Sequence, residues 1–107
     1  MVERMFNDET EKEIWSRREK DKARQLRKTH WWSKRIDAGV CHYCRRVVGR
    51  ENLTMDHLVP MSRGGRSAKG NLVPACKECN SRKKYLLPIE WDQYINSFSQ
   101  KKPQDAG

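Results

Sequence analysis

The sequence contains no long apolar run. Nothing in it approaches the roughly 20 consecutive apolar residues needed to span a bilayer, and the N-terminal stretch has no hydrophobic signal core. A soluble, cytoplasmic protein with no membrane partner is expected. Apolar residues are scarce overall, at 36% of the 107 residues against 35% charged, so a large buried core is excluded and something besides burial must help hold the fold. A chain of this size is most simply one domain with appendages. Acid is also in deficit, 14 Asp and Glu against 23 Lys and Arg, giving a net charge of +9. Such a field favours a polyanionic partner. The basic residues cluster at Arg17, Arg18, Lys20, Lys22, Arg24, Arg27, Lys28, Lys34 and Arg35, with only Glu19 and Asp21 between them, and again at Arg63, Arg66 and Lys69 and at Arg82, Lys83 and Lys84.

Four cysteines are present, as CHYC (Cys41, Cys44) and CKEC (Cys76, Cys79). In a reducing compartment two Cys-x-x-Cys knuckles read as one tetrahedral zinc site, each supplying two thiolates. Two disulfides would be the alternative in a secreted protein, which the missing signal core opposes. Four thiolates complete the tetrahedron, so His42 is expected at the surface. The staple closes the segment that contains Asp56, His57 and Asn71, and Asn80 directly follows the last cysteine.

Asn7 or Asp8 can cap a long N-terminal helix, acidic in its first turn and basic later, matching the helix dipole. Its apolar residues Ile14, Trp15, Ala23 and Leu26 form too thin a stripe for full burial. Thr29 can cap a second short helix, ended by Gly39, whose Trp31 and Trp32 are expected in the core rather than on nucleic acid. RRVVGRENLTMDHLVP reads as a β-hairpin turning at Gly49, followed by a flexible basic loop, MSRGGRSAKG, that either approaches phosphate or is simply solvated. NLVPAC returns as an extended segment, and a helix begins in KECNSRKKYLL. Pro88 fits the first position of a last helix with Trp91, Tyr94, Ile95 and Phe98 as its core-facing stripe. The expected organisation is a basic helical extension over 1–38, a zinc-stapled α+β unit over 39–85, a packed helix over 86–98 and a disordered tail over 99–107.

Phosphodiester hydrolysis needs a dication to polarise a phosphate oxygen and a base to take a proton from water. Asp56 and Asn80 offer oxygens and His57 offers the base. CHYC, MDHLVP, SRGG, NLVPAC and KECN together resemble the HNH endonucleases over Gly39 to about Lys84. The resemblance implies a ββα-metal fold and cleavage of DNA, with His57 as general base, Asp56 as ligand of a catalytic divalent metal, and Asn71 holding the hairpin and orienting the base. The family's third letter falls on Asn80, an HNN-type variant in which the amide oxygen serves as ligand. Hard oxygen donors favour Mg²⁺ or Mn²⁺ there, with Zn²⁺ in the cysteine site. Arg63, Arg66, Lys69, Arg82 and Lys83 are the expected contacts to the DNA backbone, largely independent of sequence. Neighbouring strand residues face opposite ways, so Asp56 and His57 enter one pocket only if the strand bends or ends there, and a local irregularity is expected at Asp56-His57. The alternative is a non-catalytic zinc module that binds nucleic acid or protein.

Overall fold

The computed structural model describes residues 9–101. Helix α1 (Glu9–Arg27) leads into α2 (His30–Arg35) through a single turn. The cap expected for α1 at Asn7 or Asp8 lies outside the described residues. Thr29 caps α2 as its position suggests, its hydroxyl accepting from the Trp32 amide and donating to the Leu26 carbonyl. The chain then turns to Gly39, at φ +69°, where an added Cβ would stand 2.9 Å from the Gly49 Cα. Only glycine lets the two ends of the first knuckle close this tightly.

The strand pairing differs from the expected hairpin. RRVV contributes only one isolated bridge, Val40 to Val47, because Cys41–Arg46 is spent on a tight turn with Arg45 at φ +65°. The antiparallel partner of β1 (Leu53–His57) is instead β2 (Leu72–Cys76), in register from Leu53↔Cys76 to His57↔Leu72. Pro74 has no N–H to give to the ladder, and its carbonyl accepts from the His42 amide at 2.8 Å, tying the first knuckle to β2. Helix α3 (Lys77–Lys83) leaves the end of β2 and packs on both strands. The architecture is α+β, a small ββα unit around clustered cysteines.

Helix α4 (Pro88–Lys101) starts at Pro88 as expected, with Glu90 reaching back to accept from the Leu87 amide at 2.9 Å. Its apolar stripe is only half used. Trp91 is buried and Tyr94 half-buried, but Ile95 and Phe98 are 38% and 49% exposed, which corrects the core-facing reading of those two. Residues 99–101, expected in a disordered tail, continue the helix, and the rest of that tail lies outside the described residues. One buried cluster joins Cys41, Ala75, Cys76, Cys79 and Trp91, with Tyr43, Leu53, Leu86 and Tyr94 against it, and Leu72 and Val73 of β2 and Ala23 of α1 are buried as well. Trp32 is buried, whereas Trp31 is only half-buried beneath the cations of Arg35 and Lys69, 5.9 and 5.7 Å from its ring centroid.

The loop from Leu58 to Asn71 is tied down rather than loose. Asn71 accepts from the Val59 amide and donates to the carbonyls of Val59 and Arg66. Gly65 donates to Pro60 O, in a place where a Cβ would stand 1.7 Å from Val59 O. Arg63 bonds Glu90 and the Tyr85 carbonyl, and Ser67 is buried against α1. No helix among the described residues is long and apolar enough to cross a membrane.

Candidate active site and metal centre

The four thiols converge from the first knuckle and from the junction of β2 with α3. Cys41 and Cys44 sit in the first knuckle, Cys76 at the end of β2 and Cys79 in the first turn of α3, and all four sulfurs lie within 4.8 Å of one another. A tetrahedral zinc with Zn–S near 2.3 Å requires S···S spacings of about 3.8 Å, and Cys44 and Cys76 stand at 3.9 Å. None is paired in a disulfide. The donor set fits zinc, or a metal like it. His42 is not among the ligands; it packs edge-on against Tyr43. Arg46 donates from Nε to Cys44 Sγ at 3.3 Å and reaches Cys76 at 3.9 Å, while Glu78 holds the guanidinium at 2.6 Å. Burial pushes the Cys44 thiol up, but the bonds from Arg46 outweigh it and bring it down to about 6. With a dication bound, the same guanidinium would offset the negative charge of the four thiolates.

The polar residues occupy the end of β1 that His57 terminates. Asp56 accepts a 2.5 Å bond from the Tyr43 hydroxyl on Oδ2, and Lys83 Nζ lies 3.7 Å from the same oxygen. Burial, then the Asp56 contact, hold the Tyr43 phenol neutral and hence a donor. Both contacts fall on Oδ2, leaving Oδ1 for a cation. Asn80 stands across from Asp56's strand on α3. Thr54 Oγ1 donates to Ala75 O at 2.9 Å, so it accepts from Asn80 Nδ2 at 3.0 Å, which turns the amide oxygen away from Thr54. Thr54 and Asp56 are two residues apart on one strand face, and Asn80 and Lys83 are one turn apart on α3, so the two candidate ligands share the space between β1 and α3.

His57 looks the other way. Its Nε2 is 2.9 Å from Ser67 Oγ, on the loop that packs against α1. Burial lowers its pKa, which favours the neutral ring. The expected irregularity is not inside β1, which keeps register through His57; the strand ends there instead. Asp56 and His57 thus flank the strand end rather than entering one pocket. Asn71 is bonded to loop backbone, and the ring's own partner is Ser67.

Lys83 requires a correction. It is not at the surface but 0% exposed, donating to the His57 and Leu58 carbonyls at 3.1 and 3.0 Å and lying over the Tyr43 ring. A buried ammonium needs such partners, and it has none to spare for phosphate. Arg66 and Lys69 are exposed, while Arg63 is paired with Glu90 and Arg82 with Glu78. Sequence reasoning missed Tyr43, Ser67 and Glu19; the one signal pointing to Glu19 was an acid set among the bases of α1.

Residues 41–91 match the family model described as HNH endonuclease. Over that span, 51 of the 107 residues, the chain is similar to the HNH endonucleases. No curated protein matches the chain. The HNH match spans both knuckles, β1, the tied loop, β2, α3 and the start of α4, and so includes every candidate ligand and the candidate base. An HNH domain implies nuclease chemistry on a nucleic-acid substrate.

Proposed function

We propose that the chain is a metal-dependent endonuclease that hydrolyses DNA phosphodiester bonds, with His57 as general base, Asp56 and Asn80 holding Mg²⁺ or Mn²⁺, and Zn²⁺ in the cysteine site. The observation that carries this is the placement of His57 and Asp56 on two sides of one strand end inside an HNH domain. In an in-line displacement the attacking and leaving oxygens lie on opposite sides of phosphorus, so a base and a leaving-group stabiliser belong on opposite flanks of the scissile bond. One carboxylate and one amide oxygen are hard donors, suited to an ion that takes its remaining ligands from water and phosphate. That ion, when bound, supplies charge stabilisation to a phosphate oxygen and to the leaving oxygen. His57 takes the water proton, Asn71 fixes the loop that follows it, and Lys83 and Tyr43 fix Asp56. In this reading residues 39–85 are the catalytic unit and residues 1–38 are an extension that grips DNA.

The test is conversion of supercoiled plasmid by pure protein carrying zinc. Nicking in Mg²⁺ or Mn²⁺ and none in EDTA, with zinc retained, is the expected result. Plasmid binding without nicking in either ion would favour the non-catalytic zinc module. Arg66 and Lys69 are exposed loop cations with no salt bridge among the described residues, Lys69 lying over the Trp31 ring, and neutralising both should reduce the slope of log K against log salt by about 0.9 per lost phosphate contact. Fluorescence anisotropy over a salt series measures this, and an unchanged slope would remove the loop from the interface.

A further inference from the structure

The ring of His57 is held by a residue 48 positions away in sequence from its own anchor. Ser67 Oγ lies 2.5 Å from the backbone oxygen of Glu19 and 2.9 Å from His57 Nε2. A carbonyl can only accept, so the one hydroxyl proton of Ser67 points to Glu19, and the Ser67 oxygen must accept from Nε2–H. In a neutral imidazole the proton on Nε2 leaves Nδ1 with its lone pair. The Ser67 amide also donates to Glu19 Oε1 at 2.6 Å, so one residue of α1 fixes both the backbone and the side chain of Ser67. Glu19 and Ser67 are 3% and 6% exposed, in a helix whose only other buried residue among those described is Ala23. Burying a carboxylate costs solvation, which the Ser67 amide and Lys22 at 3.1 Å offset.

We propose that Glu19 and Ser67 are positioning residues for the base: docked α1 sets His57 in its Nε2–H form and presents Nδ1 as the proton acceptor. This rests on the role of His57 proposed above. It makes α1 part of the catalytic apparatus and not only a basic arm, because a helix displaced from the loop takes Glu19 from Ser67 and leaves the ring free to change tautomer and orientation. Neither residue touches substrate; both act through the ring.

The experiment uses full-length, zinc-loaded protein without Mg²⁺, at a pH where the ring is neutral. Side-chain nitrogen shifts of His57, assigned by their loss in His57→Ala, report the tautomer. Wild type is expected as Nε2–H, and Ser67→Ala as a mixture or as Nδ1–H with zinc content unchanged. In plasmid nicking, Ser67→Ala should lower kcat about 10- to 100-fold with KM unchanged. Glu19→Gln, which keeps an oxygen for the Ser67 amide, should retain more of kcat than Glu19→Ala. A wild-type ring in the Nδ1–H form overturns the proposal even if Ser67→Ala fails to fold. An unchanged tautomer and kcat in Ser67→Ala, or a change in KM alone, also overturns it. Should wild type show no nuclease activity while the tautomer shifts as expected, the positioning stands and the catalytic reading falls.

Discussion

Replacing His57 with alanine is expected to lower plasmid nicking by about 10²- to 10⁴-fold, the range that a positioned general base contributes, with zinc content, far-UV circular dichroism and plasmid affinity unchanged. The expectation of an intact fold follows from what the side chain touches. Its one hydrogen bond is to Ser67, and its strand pairing and its contact with Lys83 go through backbone atoms. Asp56 would be a poorer choice for separating chemistry from folding. Its removal leaves the fully buried Lys83 without its carboxylate, and breaking a buried pair from one side costs about 3–5 kcal/mol. A loss of activity in Asp56→Ala would therefore mix metal binding with stability. Near wild-type nicking by His57→Ala would place the base elsewhere and return His57 to a structural role.

The features legible from sequence were those fixed by short spacing. Each Cys-x-x-Cys pair sets two thiols locally, Thr29 caps a helix beginning at the next residue, and Pro88 opens another. The strand partner was not legible for a physical reason. All five residues of LVPAC are buried, so the alternation that marks a half-exposed strand is missing, whereas RRVV looked like a strand but is taken up by the knuckle turn. The convergence of the two knuckles brings Cys76 opposite Leu53, and only that long-range closure selects β2 as the partner of β1. The candidate site divides in the same way. Asp56, His57 and Asn80 stood out as residue types in a pattern, but Ser67 meets Glu19 across 48 residues, which no local window contains. Lys83 sat in a run of three cations that reads as a solvated helix face, and its burial depends on the two carbonyls exposed where β1 ends. The stripe on α4 over-reached because the helix runs past the unit it packs on, leaving Ile95 and Phe98 with little to cover them.

Removing the metal proposed for the cysteine site, by a strong chelator or by Cys41→Ser, is expected to unfold the ββα unit altogether, not merely to weaken it. Three of the five residues in the buried cluster around the knuckles are candidate ligand thiols, and its apolar remainder is Ala75 and Trp91 with partly exposed neighbours, Leu72 and Val73 being buried beside it on β2. Structural zinc contributes on the order of 10 kcal/mol to small domains, while whole domains are stable by about 5–15 kcal/mol, so the metal is comparable to the entire stability. Its loss also reaches the site. Cys76 ends β2 and starts α3, so releasing it frees the register that faces Asp56 with Val73 and the helix that carries Asn80 and Lys83. Far-UV circular dichroism and a thermal melt with and without chelator measure this, the expected result being loss of the cooperative transition and its return on adding Zn²⁺. A chelated protein that still melts cooperatively near the wild-type temperature would show that the core holds without metal. The contrast with the catalytic ion is diagnostic: withdrawing Mg²⁺ or Mn²⁺ should stop nicking and leave the melt nearly unchanged, because Asp56 keeps Tyr43 and Lys83 as partners in its absence.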